Sequence, residues 1–374
     1  MRILVAHLVG SQRSGGMSRL MGRAHDELGR AGHQVSYLSA DDVPQAARGR
    51  GGRLLFPWLV RRAVVAATRR GEPYDIVNVH EPHGAAVAAL RRGQNGTAVV
   101  AMTHGVEQRG WELGLANAAM RPSFKTRCVY PVSSLWQSRI ALQRADHVIC
   151  LNVQDREFLR HRFGINPRDI TRVVPGADDV FGDAGTKRVY GMPRRVLFAG
   201  TWIPRKGTHI LAAAFERLIA SGVELDLDVL GAGVPESTVR ASFPEAIRER
   251  VHAMSAASDG ETATAMGTAD VFVLPSLFEG TPLTLIEAMW SGLPVVTTAT
   301  AGMQDVVRHN VTGVLVPPGD VEALTAAMSD LAKDPQRCRD LGRAAHAAAV
   351  GRYTWAQTAA SFESAYLAAK ARHG

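Results

Sequence analysis

The chain has 374 residues, 46% of them hydrophobic and 21% charged, which excludes a disordered or low-complexity protein. Its three cysteines, Cys128, Cys150 and Cys338, form no CxxC pair, which argues against a disulfide framework or a zinc knuckle and favours a reducing compartment. No apolar run reaches the ~18 residues of a spanning helix, and none suits a signal peptide, so we expect a cytoplasmic protein. The net charge of +8 suits nucleic acid, lipid headgroups or phosphorylated metabolites.

Short apolar runs alternate with helical stretches along the whole chain, which predicts βα units and mostly parallel sheets. Strands are predicted at 3–8, 34–38, 76–79, 98–102, 147–151 and 170–174, and then at 196–198, 225–230, 251–254, 271–274, 294–297 and 313–316. Helices such as 208–221 and 321–333 lie between them. The stretch 175–195, rich in Gly, Pro and Asp, is predicted to be the interdomain linker. We expect an α/β protein with two doubly wound domains whose ligand lies in the cleft between them.

A glycine pair, Gly15 and Gly16, lies between the first predicted strand and a helix. It is not a GxGxxG fingerprint, so a nicotinamide cofactor is poorly supported. The alternative is a simple turn.

Arginines surround Phe56, Pro57 and Trp58 in the basic segment 48–70. Three interpretations remain open. The segment rests on an anionic membrane, binds an acceptor phosphate, or is a solvated helix face with an aromatic side chain packed beneath it. A nucleic-acid partner is not expected, because the sequence lacks an interleaved aromatic and basic platform.

Histidines follow two predicted strands of the first half. His104 leaves its strand into a glycine turn, which places it at the ligand-binding edge of the sheet. Glu107 and Arg109 follow closely and are candidates for orienting the acceptor. His80 and His83 end the preceding strand in the same way and are candidates for lining the acceptor side. The alternative for an isolated histidine is a structural role, and no third ligand cluster supports a metal ion here.

A glycine turn with two basic residues follows the first strand of the second half, in the run FAGTWIPRKG (198–207). Arg205 and Lys206 before a helix are typical of a phosphate-binding turn; the alternative is a solvated pair. Asp226 and Asp228 form a DxD pattern that resembles a metal site, but they alternate within a predicted strand and are interpreted as structural.

The run EGTPLTLIE (279–287) follows the strand 271–274 and carries two glutamates about two helical turns apart. Gly280 permits close approach of a ligand, and the amides of Thr281 to Leu283, Pro282 included, open a helix whose N-terminus suits a diphosphate. Glu287 would then bind ribose and Glu279 the sugar. The alternative is two solvated glutamates that flank a helix start.

The run SLFEGTPLTLIEAMWSGLPVV (276–296) resembles the E-x7-E signature of glycosyltransferase family 4, a retaining family with the GT-B fold. TGVLVPPGD (312–320) resembles a motif that follows in such proteins. The resemblance covers most of the second half and, more loosely, the first. It implies an N-terminal acceptor domain at 1–180, a nucleotide-sugar domain at 181–355 and a C-terminal helix at 356–374 that packs back on the N-terminal domain.

The resemblance further implies an enzyme that transfers a sugar from a nucleotide-sugar donor (UDP-, GDP-, ADP- or TDP-linked) to a small molecule, glycan or lipid. It uses no cofactor and no metal. His104, Glu279, Lys206 and Arg205 would be catalytic, and the Gly15-Gly16 loop would approach the donor. The family usually has a basic residue where Thr201 stands, so Arg205 is expected to replace that charge. Alternatives are a nucleotide-sugar epimerase or hydrolase, or a catalytically silent sugar-binding protein.

The base of the donor leaves no side-chain pattern that the sequence reveals. Recognition by backbone groups is expected near 254–257, at the end of a predicted strand. The sequence alone therefore names the class of donor but not the nucleotide.

Overall fold

The computed structural model describes residues 1–8, 15–44, 52–89, 96–255 and 258–373, without the side chains of 52, 53 and 373. The chain forms two compact units. Unit 1 consists of Met1–Val174 and Trp355–Gly374, and unit 2 is Pro175–Thr354. No helix in the described ranges combines the length and the apolar character needed to cross a bilayer.

Unit 1 is a six-stranded parallel sheet in the order β2-β1-β3-β4-β5-β6 with helices around it. The strands are β1 Arg2–Ala6, β2 Gln34–Leu38, β3 Ile76–His80, β4 Ala98–Met102, β5 His147–Cys150 and β6 Ile170–Arg172. The helices are α1 Gly16–Arg30, α2 Gly52–Arg69, α3 Ala85–Ala88, α4 Glu107–Ala116, α5 Phe124–Tyr130, α6 Trp136–Arg144 and α7 Val153–Phe163, with a π-helical turn Pro131–Leu135 between α5 and α6.

Unit 2 is a second six-stranded parallel sheet, in the order β12-β11-β10-β7-β8-β9. Its strands are β7 Arg195–Ala199, β8 Asp226–Leu230, β9 Val251–Met254, β10 Val271–Leu274, β11 Val295–Thr298 and β12 Val314–Val316. Its helices are α8 Asp179–Thr186, α9 Thr208–Ala220, α10 Glu236–Arg240, α11 Asp259–Thr268, α12 Leu283–Trp290, α13 Ala301–Val306, α14 Val321–Lys333 and α15 Pro335–Val350. The last helix, α16 Trp355–His373, belongs to unit 1.

Every predicted strand is present, and the bounds differ by no more than two residues. Strands β3, β4 and β10 are buried along their whole length, which explains why they appear in the sequence as continuous apolar runs. Polar caps set several helix ends. Asn152 Oδ1 accepts a 2.7 Å bond from the Asp155 amide at the start of α7, and Gly164, with φ +67°, ends that helix.

Each sheet has one point where the strand order reverses. In unit 1 that point lies between β1 and β3, and in unit 2 it lies between β7 and β10. Connections leave such neighbouring strands in opposite directions, so a crevice opens at their carboxyl ends where ligands bind in doubly wound folds. The residues that follow β1, β3, β7 and β10 are therefore the candidates for a ligand site.

The predicted linker 175–195 is partly wrong, because it contains helix α8 and packs within unit 2. Phe181 is fully buried. Arg188 donates hydrogen bonds to the carbonyl oxygens of Ala269 (2.7 Å) and Ser291 (2.7 Å) and also to that of Met266. These acceptors end helices α11 and α12, so Arg188 binds carbonyls that the helices leave unpaired. Because the partners of Arg188 are distant in the sequence, these bonds leave no periodic pattern within 175–195 that would show its packing.

Helix α16 is fixed to the sheet of unit 1 by buried polar contacts. The Tyr366 hydroxyl accepts a 2.8 Å bond from Asn78 Nδ2 and lies 3.2 Å from His25 Nε2. Nearer the ends, Thr358 Oγ1 donates to the Val174 carbonyl (2.9 Å), and Lys370 Nζ lies 2.6 Å from Asp75 Oδ1. These bonds tie the last residues of the chain to strands near its beginning.

The basic segment 48–70 is only partly within the described residues, because 48–51 lie outside them. Helix α2 covers the rest. Phe56 is fully buried against the sheet and makes an edge contact with His83 at 5.7 Å between ring centroids, whereas Trp58 is exposed with Arg61 over its ring. The helix thus has an aromatic side chain packed beneath it, as in the third interpretation, and Phe56 is not available to a membrane.

Candidate active site

The loop after β7 and the loop after β10 contact each other at the switch point of unit 2. The Leu277 amide donates a 2.9 Å hydrogen bond to the Arg205 carbonyl. Gly207 has φ +71°, and a Cβ on it would stand 1.9 Å from the Pro275 carbonyl oxygen. Only glycine permits this contact, and the contact fixes the basic pair of the first loop beside the residues of the second.

A buried carboxylate lies between the two basic side chains. Glu279 Oε1 is 2.8 Å from Lys206 Nζ, and Oε2 is 3.3 Å from Arg205 Nη1. Burial alone raises the pKa of Glu279, but Lys206 and Arg205 outweigh it and hold the pKa below its ordinary value. Glu279 is therefore ionised at neutral pH, and the alternative of a solvated glutamate is wrong.

The basic residues differ in how tightly they are held. The Lys206 side chain is 13% exposed and packs over Gly200, where a Cβ would lie 3.6 Å from Nζ. The Arg205 side chain is 41% exposed, and its Nη1 donates a 3.0 Å bond to the Phe278 carbonyl. The alternative of a solvated pair is therefore wrong for Lys206 and partly so for Arg205. Thr201 is exposed at the same turn and carries no charge.

Helix α12 begins directly after this cluster, at Leu283. Three backbone amides, those of residues 281 to 283, are expected from the sequence to bind the diphosphate, but Pro282 has no N–H and cannot donate. The donors are therefore the amides of Thr281 and Leu283, and Thr284 has the next amide in the first turn. The preceding backbone is close-packed. The Gly302 amide donates a 2.8 Å bond to the Gly280 carbonyl, and a Cβ at Gly302 would lie 2.1 Å from Thr281 Oγ1.

Glu287 lies inside α12 and is buried, whereas Glu279 precedes the helix by four residues. The two carboxylates thus occupy different backbone environments, one in a loop between cations and one on the helix. Burial of an ionisable group is costly unless it is satisfied, so a buried glutamate in this position indicates a function or a structural bond.

Three histidines meet at the switch point of unit 1. His104 Nε2 lies 3.0 Å from His80 Nδ1, and the ring of His7, which follows β1, is 5.6 Å from that of His80. Burial lowers the pKa of His104 to about 3, with a contribution from His7, and burial also lowers the pKa of His80. The pair is therefore neutral at pH 7, and its hydrogen bond joins one N–H to one ring lone pair.

The other predicted residues of unit 1 have partners within the unit. Glu107 accepts a hydrogen bond from the Tyr130 hydroxyl. Arg109 Nη1 donates 2.8 Å to Asp155 Oδ1, and its other terminal nitrogen donates to Gln154. The His83 ring packs against Phe56, and its backbone amide donates a 2.9 Å bond to the His80 carbonyl.

The glycine pair lies at the start of α1, where Gly15 is the N-cap and Gly16 the first residue. A Cβ on Gly15 would meet nothing within 4 Å, so no packing inside the unit requires glycine there. The loop at 9–14 lies outside the described residues, as do residues 256 and 257 of the predicted base-recognition segment. Met254 ends β9, where its carbonyl accepts a 3.0 Å bond from the Gly231 amide.

Sequence reasoning missed His7 and Glu81. His7 follows β1 in the way that His104 follows β4, so the strand-end rule would have found it. Glu81 accepts a hydrogen bond from Ser138, and burial together with the neighbouring Glu107 raises its pKa to about 8. No local pattern marks Glu81 as a protonated acid, because its environment comes from α6 and α4.

No group of three His, Cys, Asp or Glu side chains suited to a metal ion occurs within the described ranges. The two residues of the DxD pattern each face an arginine. Asp228 Oδ2 lies 3.1 Å from Arg195 Nη1, and Asp226 Oδ1 lies 3.8 Å from Arg250 Nη1. These pairs agree with a structural role for the DxD pattern.

Comparison with known proteins agrees with this architecture. Residues 14–181 match the family described as Glycosyltransferase Family 4, and residues 193–334 match Glycosyl transferases group 1. The chain is 30% identical over 316 residues to the MMP alpha-(1->4)-mannosyltransferase of Mycolicibacterium hassiacum, which covers 84% of this chain and 75% of that protein.

Solved structures show the same fold. Sucrose-phosphate synthase from Thermosynechococcus elongatus has a TM-score of 0.78 at 21% identity, with 98% of both chains covered. Anabaena Alr3699/HepE in complex with UDP-glucose has a TM-score of 0.70 at 18% identity, with 97% of this chain and 98% of that one covered. The chain belongs to the family 4 type of glycosyltransferases and has the GT-B fold. It is an enzyme of the glycosyltransferase class.

Proposed function

We propose that the enzyme transfers a sugar from a nucleotide-sugar donor to an acceptor hydroxyl, with retention at the anomeric carbon and without a metal ion. The observation that carries the proposal is the Lys206–Glu279–Arg205 cluster at the start of α12. It combines cations for a diphosphate with a carboxylate for sugar hydroxyls, at a switch point where doubly wound folds bind ligands.

Each residue of the Lys206–Glu279–Arg205 cluster has a proposed role in binding the donor. Lys206 carries three N–H donors, so it can bind Glu279 and a phosphate oxygen together. The first-turn amides of α12 and its dipole add positive potential beside the diphosphate. Glu279, ionised by its two cations, accepts hydrogen bonds from the donor sugar, and Glu287 accepts them from the ribose.

The reaction then needs no protein nucleophile. The bond between the anomeric carbon and the phosphate oxygen breaks, and the acceptor oxygen forms the new bond on the same face. The acceptor's proton passes to the departing phosphate oxygen, so charge and atoms balance. What the protein supplies is stabilisation of the leaving diphosphate, mainly by Lys206 and Arg205.

We assign His104 and His80 to the acceptor side. Because burial keeps His104 neutral, it contributes one hydrogen bond rather than a positive charge. Arg109 is assigned to positioning the start of α4, since Asp155 at the start of α7 already pairs its charge. The acceptor is a small molecule, a glycan or a lipid.

Metal independence is supported by the charge of the site itself. The Lys206–Glu279–Arg205 cluster keeps a net positive charge, and the first-turn amides of α12 add to it, so the protein itself can offset charge on the diphosphate as a divalent cation does in other transferases. The structure of HepE with UDP-glucose supports a UDP-sugar as the first donor to test.

The test begins with donor binding. UDP, GDP, ADP and TDP sugars are screened by thermal shift, because a ligand that binds only the folded state raises the Tm by mass action. The best donor is then incubated with simple acceptors, and the product is analysed by NMR for its anomeric configuration. An α-linked donor giving an α-linked product supports retention, whereas free sugar alone or inversion contradicts it.

A chelator arm tests metal independence in the same assay. The rate is expected to be unchanged by EDTA, and a loss that Mg²⁺ or Mn²⁺ restores would contradict the proposal.

A further inference from the structure

One continuous helical segment of unit 1 carries large apolar side chains on its exposed side. Helix α5, the π-helical turn and α6 run without a break, since Tyr130, Pro131, Leu135 and Trp136 all have right-handed helical backbone angles. Helix α5 has no buried residue, whereas the π-helical turn and α6 pack on the body of unit 1 through buried residues such as Leu135, Ser138 and Leu142.

The opposite face presents large apolar side chains to solvent. Phe124 is 80% exposed, Val132 74% and Trp136 59%, with Cys128 also exposed. These four residues follow one another at four-residue intervals, which places them in one row along the helix. We name this row the outer helix face. Val129, on the adjacent row, is exposed too.

The charge around the outer helix face has a single sign. From 113 to 145 the sequence has no Asp and no Glu, and its basic residues are Arg121, Lys125, Arg127, Arg139 and Arg144. All of them are exposed, and none pairs with a carboxylate among the described residues. An apolar row that is ringed by unpaired cations is complementary to a surface with negative charges above an apolar layer.

We propose that the outer helix face docks on an anionic lipid bilayer, with Phe124, Val132 and Trp136 entering the headgroup region and the surrounding arginines and lysine contacting lipid phosphates. A water-exposed aromatic row costs free energy that burial in the interface recovers. The cations raise affinity for anionic lipid over neutral lipid.

The surface differs from the basic segment 48–70. In α2 the aromatic residue Phe56 is buried, so Trp58 stands as the main exposed aromatic there, 58% exposed. Trp58 and Trp136 thus form a matched pair: the same residue type at nearly the same exposure, one on each surface.

The experiment is flotation of the full chain with vesicles of phosphatidylcholine, with or without about one third phosphatidylglycerol. The wild type is expected to float only with the anionic vesicles, and less so in high salt. Phe124→Ser/Val132→Ser/Trp136→Ser and, separately, Arg121→Glu/Lys125→Glu/Arg127→Glu should each lower binding about tenfold or more.

Two matched controls keep the result specific. Trp136→Ser alone is expected to weaken binding, whereas Trp58→Ser and Leu367→Ser, which change exposed apolar residues elsewhere in unit 1, should not. No flotation of the wild type would overturn the proposal, as would equal losses for Trp58→Ser and Trp136→Ser. Size-exclusion chromatography without lipid adds a further outcome. A dimer that the triple serine variant dissociates would assign the face to a second copy of the chain instead.

The native Cys128 provides a direct readout, because the other two cysteines are buried. A polarity-sensitive fluorophore on Cys128 should brighten and shift to the blue when anionic vesicles are added. Vesicle-bound protein with an unchanged spectrum would show that another face meets the lipid and would overturn the proposal. Circular dichroism of each variant confirms that a loss of binding is not a loss of folding.

Discussion

Lys206 Nζ lies 2.8 Å from Glu279 Oε1, although the two residues follow different strands and are far apart in the chain. The contact exists because β7 and β10 are neighbours in the sheet and because Gly207 allows their loops to touch at Pro275. It joins the two halves of the proposed donor site, the phosphate half and the sugar half.

Lys206→Ala removes the cation nearest to Glu279. We expect kcat to fall about a hundredfold, corresponding to about 3 kcal/mol of lost stabilisation of the leaving diphosphate. Arg205→Ala should lower kcat less than Lys206→Ala does, because the Arg205 side chain is more exposed and solvent screens its charge. Steady-state kinetics with the donor found by thermal shift measures both, and Lys206→Ala with unchanged kinetics would count against the site.

Gly207→Ala places a Cβ where the Pro275 carbonyl oxygen stands, at a residue with φ +71°. Gly222→Ala is the matched control in the same unit, since Gly222 has φ +83° and open space around its Cβ position. The control isolates backbone strain, about 1–2 kcal/mol. Gly207→Ala should lower the Tm more than Gly222→Ala and should also weaken donor binding. Equal effects of the two substitutions would show that the loop contact is unimportant.

Glu81→Gln tests the raised pKa of that carboxyl. The folded state holds the proton up to about pH 8, whereas the unfolded chain releases it near its ordinary value of 4.5. Wild-type stability from this group is therefore present at low pH and is lost as pH rises through that window, by up to about 1.4 kcal/mol per pH unit. Glutamine does not ionise, so the Tm of the variant relative to wild type should increase from pH 5 to pH 8.

The control for this prediction is Glu112→Gln, which changes an exposed glutamate of the same unit. Its Tm difference from wild type should not vary with pH in the same way. A flat difference for Glu81→Gln would mean that Glu81 is ionised in the folded protein.

Tyr366→Phe removes the hydroxyl that joins α16 to Asn78 and His25. Two buried polar side chains then lose a partner, which should cost about 1–3 kcal/mol of the free energy of unfolding. Leu367→Ala, an exposed neighbour on the same helix, should stay within about 0.5 kcal/mol. Urea denaturation followed by circular dichroism compares the two. A neutral Tyr366→Phe would show that this hydroxyl is not needed to hold α16 on the sheet.

The sequence predicted the strands well because buried parallel strands are short apolar runs bounded by Gly, Pro and polar residues. It also predicted that a helix opens at Thr281 to Leu283, and α12 begins at Leu283. It failed where partners are distant. Helix α8 lies in the stretch predicted to be a linker. The bonds that Arg188 makes to the ends of α11 and α12, just after α8, show that this stretch packs within unit 2, and they leave no local pattern in the sequence.

The candidate site, like the fold, could be predicted from the sequence only in part. That Glu279 and Lys206 each follow a strand was visible in the sequence, and so was the family resemblance of the run 276–296. Their contact was not visible, since it depends on which strands are neighbours. The sequence leaves the solvated alternative for Glu279 open, and the burial of Glu279 between two cations excludes it.

By itself, then, the sequence determined the order of strands and helices, the two doubly wound halves and the residues at each strand's end. These properties depend on side-chain chemistry and hydrophobic periodicity over a few residues. Only the tertiary structure decided which strand ends meet, that Glu279 is a charged partner of Lys206, that Glu81 keeps its proton and that His104 stays neutral. Charge states and ion pairs depend on burial and on groups brought close by the fold, and no short window of sequence contains that information.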